Sequence, residues 1–224
     1  MKKIILIMAL GIVTLVNGCV FKVPSTAPSV TNTYSSYNDK IVTKVVLVLD
    51  ENLRDIQQPV NLKSHACSGH SYIVNLDDSL ATSIRETTHT IFAEVVERPI
   101  LPPKNILKRL GCAGTVYVKL SKLDATLDFG GPIWEESSTK ASFALELFIK
   151  VQDPDGVILL DTSVEATRAV HGRWRFCFNG HHLLSNLIWQ TIRETMEGYA
   201  EKLTNSREIR ISFSLAPLVG KEGG

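Results

Sequence analysis

The sequence predicts an α+β fold: a two-layer sandwich in which two amphipathic helices lie on one face of a mixed or antiparallel sheet. Three observations carry this expectation. Several long segments alternate apolar and polar side chains, the period of strands. Two others repeat apolar residues every three or four positions, the period of helices, and each of these has a single apolar stripe. Two such helices cannot cover both faces of a large sheet, so they share one face.

Residues 41–49 (IVTKVVLVL) open the body, with apolar side chains on both alternating faces, as in a strand covered on both sides or lying near the sheet centre. A short strand is expected at 71–74. A helix follows, capped by Asn75 or Asp77, with Leu76, Leu80, Ile84, Thr88, Ile91 and Val95 as its stripe and Pro99, Pro102 and Pro103 as its stop. Residues 105–110 add a turn or two of helix. Three long strands come next. In 115–129 the inward face shifts from Val116, Val118 and Leu120 to Leu123, Ala125 and Leu127, which predicts a bulge near Ser121 and Lys122. Residues 140–152 and 157–170 pair as a hairpin around the turn Asp153-Pro154-Asp155-Gly156, where proline fixes φ and glycine accepts a positive one. A second helix spans 179 to about 203, with the stripe Leu184, Ile188, Ile192, Met196, Tyr199 and Leu203. Residues 209–215 alternate weakly, an edge-strand pattern.

With 44% hydrophobic residues, and 24 Lys and Arg against 23 Asp and Glu, the 224-residue chain is neither a disordered polymer nor a polybasic nucleic-acid binder. Its first residues are an address. Lys2 and Lys3 precede an apolar run from Ile4 to Val16 that is shorter than the roughly 20 residues a membrane span requires, so the segment is a signal core. The run ends in Leu15-Val16-Asn17-Gly18-Cys19. This resembles a bacterial lipobox, which implies diacylglyceryl attachment to the Cys19 sulfur, cleavage after Gly18 and acylation of the new amine. Cleavage removes Lys2 and Lys3 and no acidic residue, so the net charge passes from +1 to −1 and no excess of basic residues draws the body to anionic lipid. Val20, rather than Asp, follows the cysteine. By resemblance to enterobacterial sorting, that directs the protein to the periplasmic face of the outer membrane.

The expected organisation is a signal peptide at 1–18, the lipidated cysteine and a flexible tether at 19–40, one α+β domain at 41–204, and a tail at 205–224. The tail would hold the edge strand and then disordered residues. The Ser, Thr, Pro and Asn content of 20–39 reads as linker, which extends to at most about 65–70 Å and would let the body stand off the membrane.

The lipobox, the Ser/Pro tether and the segments VVLVLDENLR, YIVNLDDSLATSIRETTHTIFAEVV and TVYVKLSKLDATLDF together resemble small bacterial envelope lipoproteins of the YajG-like, LptE-like and transport-auxiliary types. The resemblance is one of layout and covers about 41–204. It implies a non-enzymatic accessory or assembly subunit of an envelope transport, secretion or assembly machine. Such a subunit acts through a protein partner or self-association, with the membrane reached through its N-terminal lipid and no nucleic acid bound.

The side-chain chemistry fits that expectation. No nucleophile elbow, zinc-protease motif or phosphate loop is present, and no cofactor is called for. In an oxidising compartment Cys67 and Cys177 form the favoured disulfide: Cys67 precedes the strand that feeds the first helix and Cys177 directly precedes the second, which puts both at one end of the sandwich if the two helices follow their strands in the same sense; Cys112 is then free. The alternative is a metal- or lipid-binding role, with Cys67 and Cys177 beside His65, His70, His181 and His182 as a soft-ligand set. Arg173, Trp174 and Arg175, together with Trp134 and Trp189, are the candidate partner-binding residues, since arginine and tryptophan are enriched at binding hot spots. Trp189 stands off the apolar stripe of its helix.

Overall fold

The computed structural model describes residues 20–24, 40–64, 67–130, 137–174, 177 and 179–214. They form an α+β fold with two mixed sheets. The strands are β1 (Val20–Pro24), β2 (Ile41–Leu49), β3 (Ile56–Pro59), β4 (Asn61–Leu62), β5 (Ser71–Asp77), β6 (Phe92–Arg98), β7 (Gly114–Phe129), β8 (Ser137–Gln152) and β9 (Ile158–Trp174). The helices are α1 (Ser79–Ile91), α2 (Lys104–Leu110), α3 (Asn179–Asn205) and α4 (Arg207–Ser214). The large sheet runs β6-β2-β7-β8-β9, with β4 against the second half of β7, and the small sheet runs β1-β5-β3.

Side chains from both helical stripes meet the inner face of the large sheet in one core. Val45, Leu47 and Leu49 of β2, Val116 and Val118 of β7 and Phe143, Leu145 and Leu147 of β8 pack with Leu80 and Ile84 of α1 and Leu184, Ile188, Ile192, Met196, Tyr199 and Leu203 of α3. The other face of β2 carries Val46 and Val48, which α2 covers with Leu107, beside Cys112. That separate cluster explains why β2 is apolar on both faces. In β7 the pairing with β8 slips between Leu120 and Lys122, the bulge that the change of inward face requires. In the hairpin turn, Asp153 Oδ1 accepts the amides of Asp155 and Val157, and Gly156 takes φ +87°.

Four expectations need correction. The first helix does not reach Val95. β5 extends through Asp77, α1 begins after Asp78, and 92–98 leaves the helix to pair in parallel with β2. The apolar spacing of Ile91 and Val95 satisfies a helix, but β2 offers an open parallel edge and Phe92 fills the core from a strand. Second, 207–214 is a helix and not an edge strand. Ser206 Oγ accepts the Ile209 amide as a cap, and Ile209 and Phe213, one helical turn apart, are buried, with Phe213 tilted against Phe92. Third, the polar stretch between 49 and 71, for which no element is expected, holds the short strands β3 and β4. Fourth, Val20–Pro24 is not tether. It pairs in parallel with Ser71–Asn75, and Val23 is fully buried.

Candidate functional site

β7 and the neighbouring strands give the domain two distinct ends. One end gathers the last residues of β7, the first of β8, the last of β9, the first of β1 and β5, and the start of α3. The opposite end holds the Asp153–Gly156 turn and α4.

The first end is stapled. Cys67 and Cys177 form a disulfide across 110 residues. Tyr72 lies beneath it and donates its hydroxyl hydrogen to the Cys177 carbonyl oxygen. Tyr72 stacks on Phe21 at 5.2 Å and tilts against Phe129 at 6.1 Å. His181 stacks on Phe21 at 6.0 Å and lies 3.9 Å from the ring of His182, while His70 meets the edge of Phe21 at 5.6 Å. Phe21 is thus the hub of the cluster. It lies in the segment whose composition reads as linker, so only its pairing with β5 reveals this role.

The disulfide consumes two of the proposed soft ligands. Among the described residues no three His, Cys, Asp or Glu side chains converge as a metal site. His65, Cys19, Trp134 and Arg175 lie outside the described residues, as do the signal segment 1–18 and residues 25–39. Cys112 is free and buried beside Leu107, and burial pushes its thiol above the usual range.

The second candidate surface is the outer side of α3 where it crosses β9. Trp189 is 39% exposed although its helix is otherwise anchored by a continuous stripe. The Arg193 guanidinium lies 5.9 Å from its ring centroid, an exposed cation–π contact of about 0.5–1 kcal/mol. Arg168 reaches over from β9 to Glu194 Oε2 at 2.7 Å and Gln190 Oε1 at 3.3 Å, and Arg193 donates to Glu197 at 3.0 Å. These side chains line an open groove of about 430 Å³. Arg173 is exposed one residue before the end of β9 and does not line the Trp189 groove; Trp174 is the last residue of that strand. Sequence periodicity finds Trp189 because it falls off the stripe. Arg168 has no comparable signal, since its reach to α3 depends on how the helix crosses the strand. No helix among the described residues is long and apolar enough to cross a membrane.

No family model matches the chain, and no curated protein matches it. Its fold is similar to solved structures. Protein XCC0632 from Xanthomonas campestris, of the DUF330 family, is 10% identical with a TM-score of 0.44, the match covering 80% of this chain and 91% of that one. A putative neuraminyllactose-binding hemagglutinin homolog from Helicobacter pylori is 6% identical with a TM-score of 0.45, covering 85% and 98%. A minor lipoprotein from Acinetobacter baumannii is 8% identical with a TM-score of 0.38, covering 77% and 94%. At this distance nothing passes from these structures to this chain beyond a likeness of fold.

Proposed function

We propose that the chain is a non-catalytic lipoprotein, acylated at Cys19 and held at the periplasmic face of the outer membrane, that serves an envelope transport, secretion or assembly machine as an accessory subunit. The observation that carries the partner-binding part is Trp189. A large aromatic side chain stands exposed on a rigid helix, flanked by Arg193 and Arg168, and this is the composition of a protein-binding hot spot. The lipobox and Val20 support the address, and the missing enzyme motifs support a binding role.

Two measurements test the proposal. Mass analysis of the N-terminal peptide should show a diacylglyceryl cysteine, lost in Cys19→Ala. A photo-crosslinking residue at position 189 should trap a discrete envelope partner or a second copy, while one placed at Asp124, on the opposite face, should not. A chain acylated at Cys19 that crosslinks to nothing from position 189 while correctly expressed would remove the accessory-subunit reading.

A further inference from the structure

The N-terminal strand changes what lipidation at Cys19 would do. β1 starts at Val20, and its first pair is Val20 with Ser71. Lys22 and Val23 continue the pairing, Phe21 is gripped by Tyr72 and His181, and Val23 is fully buried. Residue 19 is therefore one residue, about 3.3 Å of chain, from a fixed strand. Both ends of 25–39 are also tied into the fold, Pro24 to Asn75 and Ile41 to Phe92, so this segment joins two strands and gives the anchor no slack.

The strand directions say which end this is. β1 and β5 start where β7 finishes, as the contact of Tyr72 with Phe129 requires. Among the described residues the same end carries exposed Lys22, Lys63, Lys140, His171 and Arg173, with the carboxylate of Asp128 opposite Lys140. The charge of the mature chain is close to balanced, but among the described residues it is not evenly spread. At the other end acids and bases mix, as in the pairs Lys44–Glu94 and Lys104–Asp155.

We infer that the disulfide end of the domain is seated directly on the bilayer that holds the anchor, with its basic side chains on anionic lipid headgroups. This rests on the reading that Cys19 is acylated. Anchor and basic surface coincide at one end, and the occupant they fit is a lipid surface. β7 spans 16 residues, about 50 Å, so the turn at Asp153–Gly156 then points away from the membrane. Arg173 becomes a headgroup contact, separate from the Trp189 surface, which is left accessible to a protein.

The experiment uses the acylated full chain carrying Cys112→Ser. It is reconstituted in phosphatidylcholine–phosphatidylglycerol vesicles that contain a nickel-chelating lipid. Nitroxide labels are placed singly through Ser138→Cys at the disulfide end or Val157→Cys beside the turn. Relaxation by the surface nickel should be several-fold stronger at 138 than at 157. A flexible Gly/Ser insertion between Cys19 and Val20 should narrow that contrast. So should joint replacement of Lys22, Lys63 and Lys140 by Gln, since each lysine near an anionic surface favours the seated orientation by roughly fivefold. Equal relaxation at the two sites, or a contrast that neither change alters, overturns the inference. Failure of the acylation reading is separable: an N-terminal peptide without lipid removes that reading alone. A chain beginning at Cys19 and coupled there to a maleimide lipid then carries the same measurement.

Discussion

Three tyrosines set an alkaline limit on the domain. Burial pushes the Tyr72 hydroxyl up to about 12. Tyr117 is also raised to about 12, first because its hydroxyl donates to Asp50 and then by burial. Burial raises Tyr199 as well, against a smaller opposing effect of its hydrogen bond with Thr88. A raised tyrosine keeps its proton in the folded state after the unfolded chain has lost it. Above the unfolded value of about 10 the folded state therefore binds more protons, and stability falls as pH rises. These groups leave stability unchanged below about pH 10 and lower it progressively as pH rises through about 12. Urea midpoints at pH 8 and pH 11 should show the fall, and Tyr199→Phe should flatten it; a midpoint that does not move contradicts the account. The cysteines give a second residue-scale prediction. Closing a loop of about a hundred residues confers up to about 4–5 kcal/mol, so the Cys67→Ser, Cys177→Ser double variant should melt about 10–18 °C lower. Without reductant, a thiol reagent should find Cys112 only after denaturation. A native chain that reacts at once would contradict its burial under α2.

At the scale of elements, the joint between β7 and α4 is the most demanding. A Cβ on Gly114 would strike the Gln152 carbonyl oxygen and come within 2.8 Å of the Phe213 ring. Gly114→Ala must therefore push β8 away or unseat α4, at a cost of about 1–3 kcal/mol. Calorimetry should show the loss, and pairing Gly114→Ala with Phe213→Leu should recover part of it. The same joint shows what local sequence can and cannot reveal. The stripe of α3, the bulge of β7 and the turn at Asp153–Gly156 were legible because each is written within a few residues of itself. α4 was not. Ile209, Ile211 and Phe213 alternate, while Ile209 and Phe213 also sit one helical turn apart, and the choice was made by the Phe92 side chain waiting in the core. β6 was hidden for the same reason, because a helical spacing gave way to the open edge of β2. In the candidate sites, Cys67 and Cys177 could be matched by asking which elements they precede. Phe21 and Arg168 could not, since their partners are set by strand pairing and helix crossing.

For the whole molecule, the decisive question is where the domain begins. Composition draws the boundary at 41, because 20–39 lacks apolar period and is rich in Ser, Thr, Pro and Asn. The structure places β1 on the other side of that boundary, inside the small sheet and the aromatic cluster. Removing 20–24 would uncover Val74 and Tyr72, strip the stacking partner from His181, and leave β5 with a row of unpaired backbone groups on that side. An open, flat strand edge beside apolar side chains is a site of aggregation. A chain spanning 19–214 should therefore unfold cooperatively, whereas one spanning 40–214 should melt lower, bind a hydrophobic dye before its main transition and self-associate with concentration. Adding a synthetic 20–24 peptide to the shorter chain should raise its melting point, and a Val23→Asp peptide should not. If the two chains melt alike, β1 is an appendage, and an anchor at Cys19 would hold the domain on a flexible lead. If they differ as expected, the first folded residue is the one that follows Cys19, and the same five residues that complete the core also set the domain's distance from the membrane.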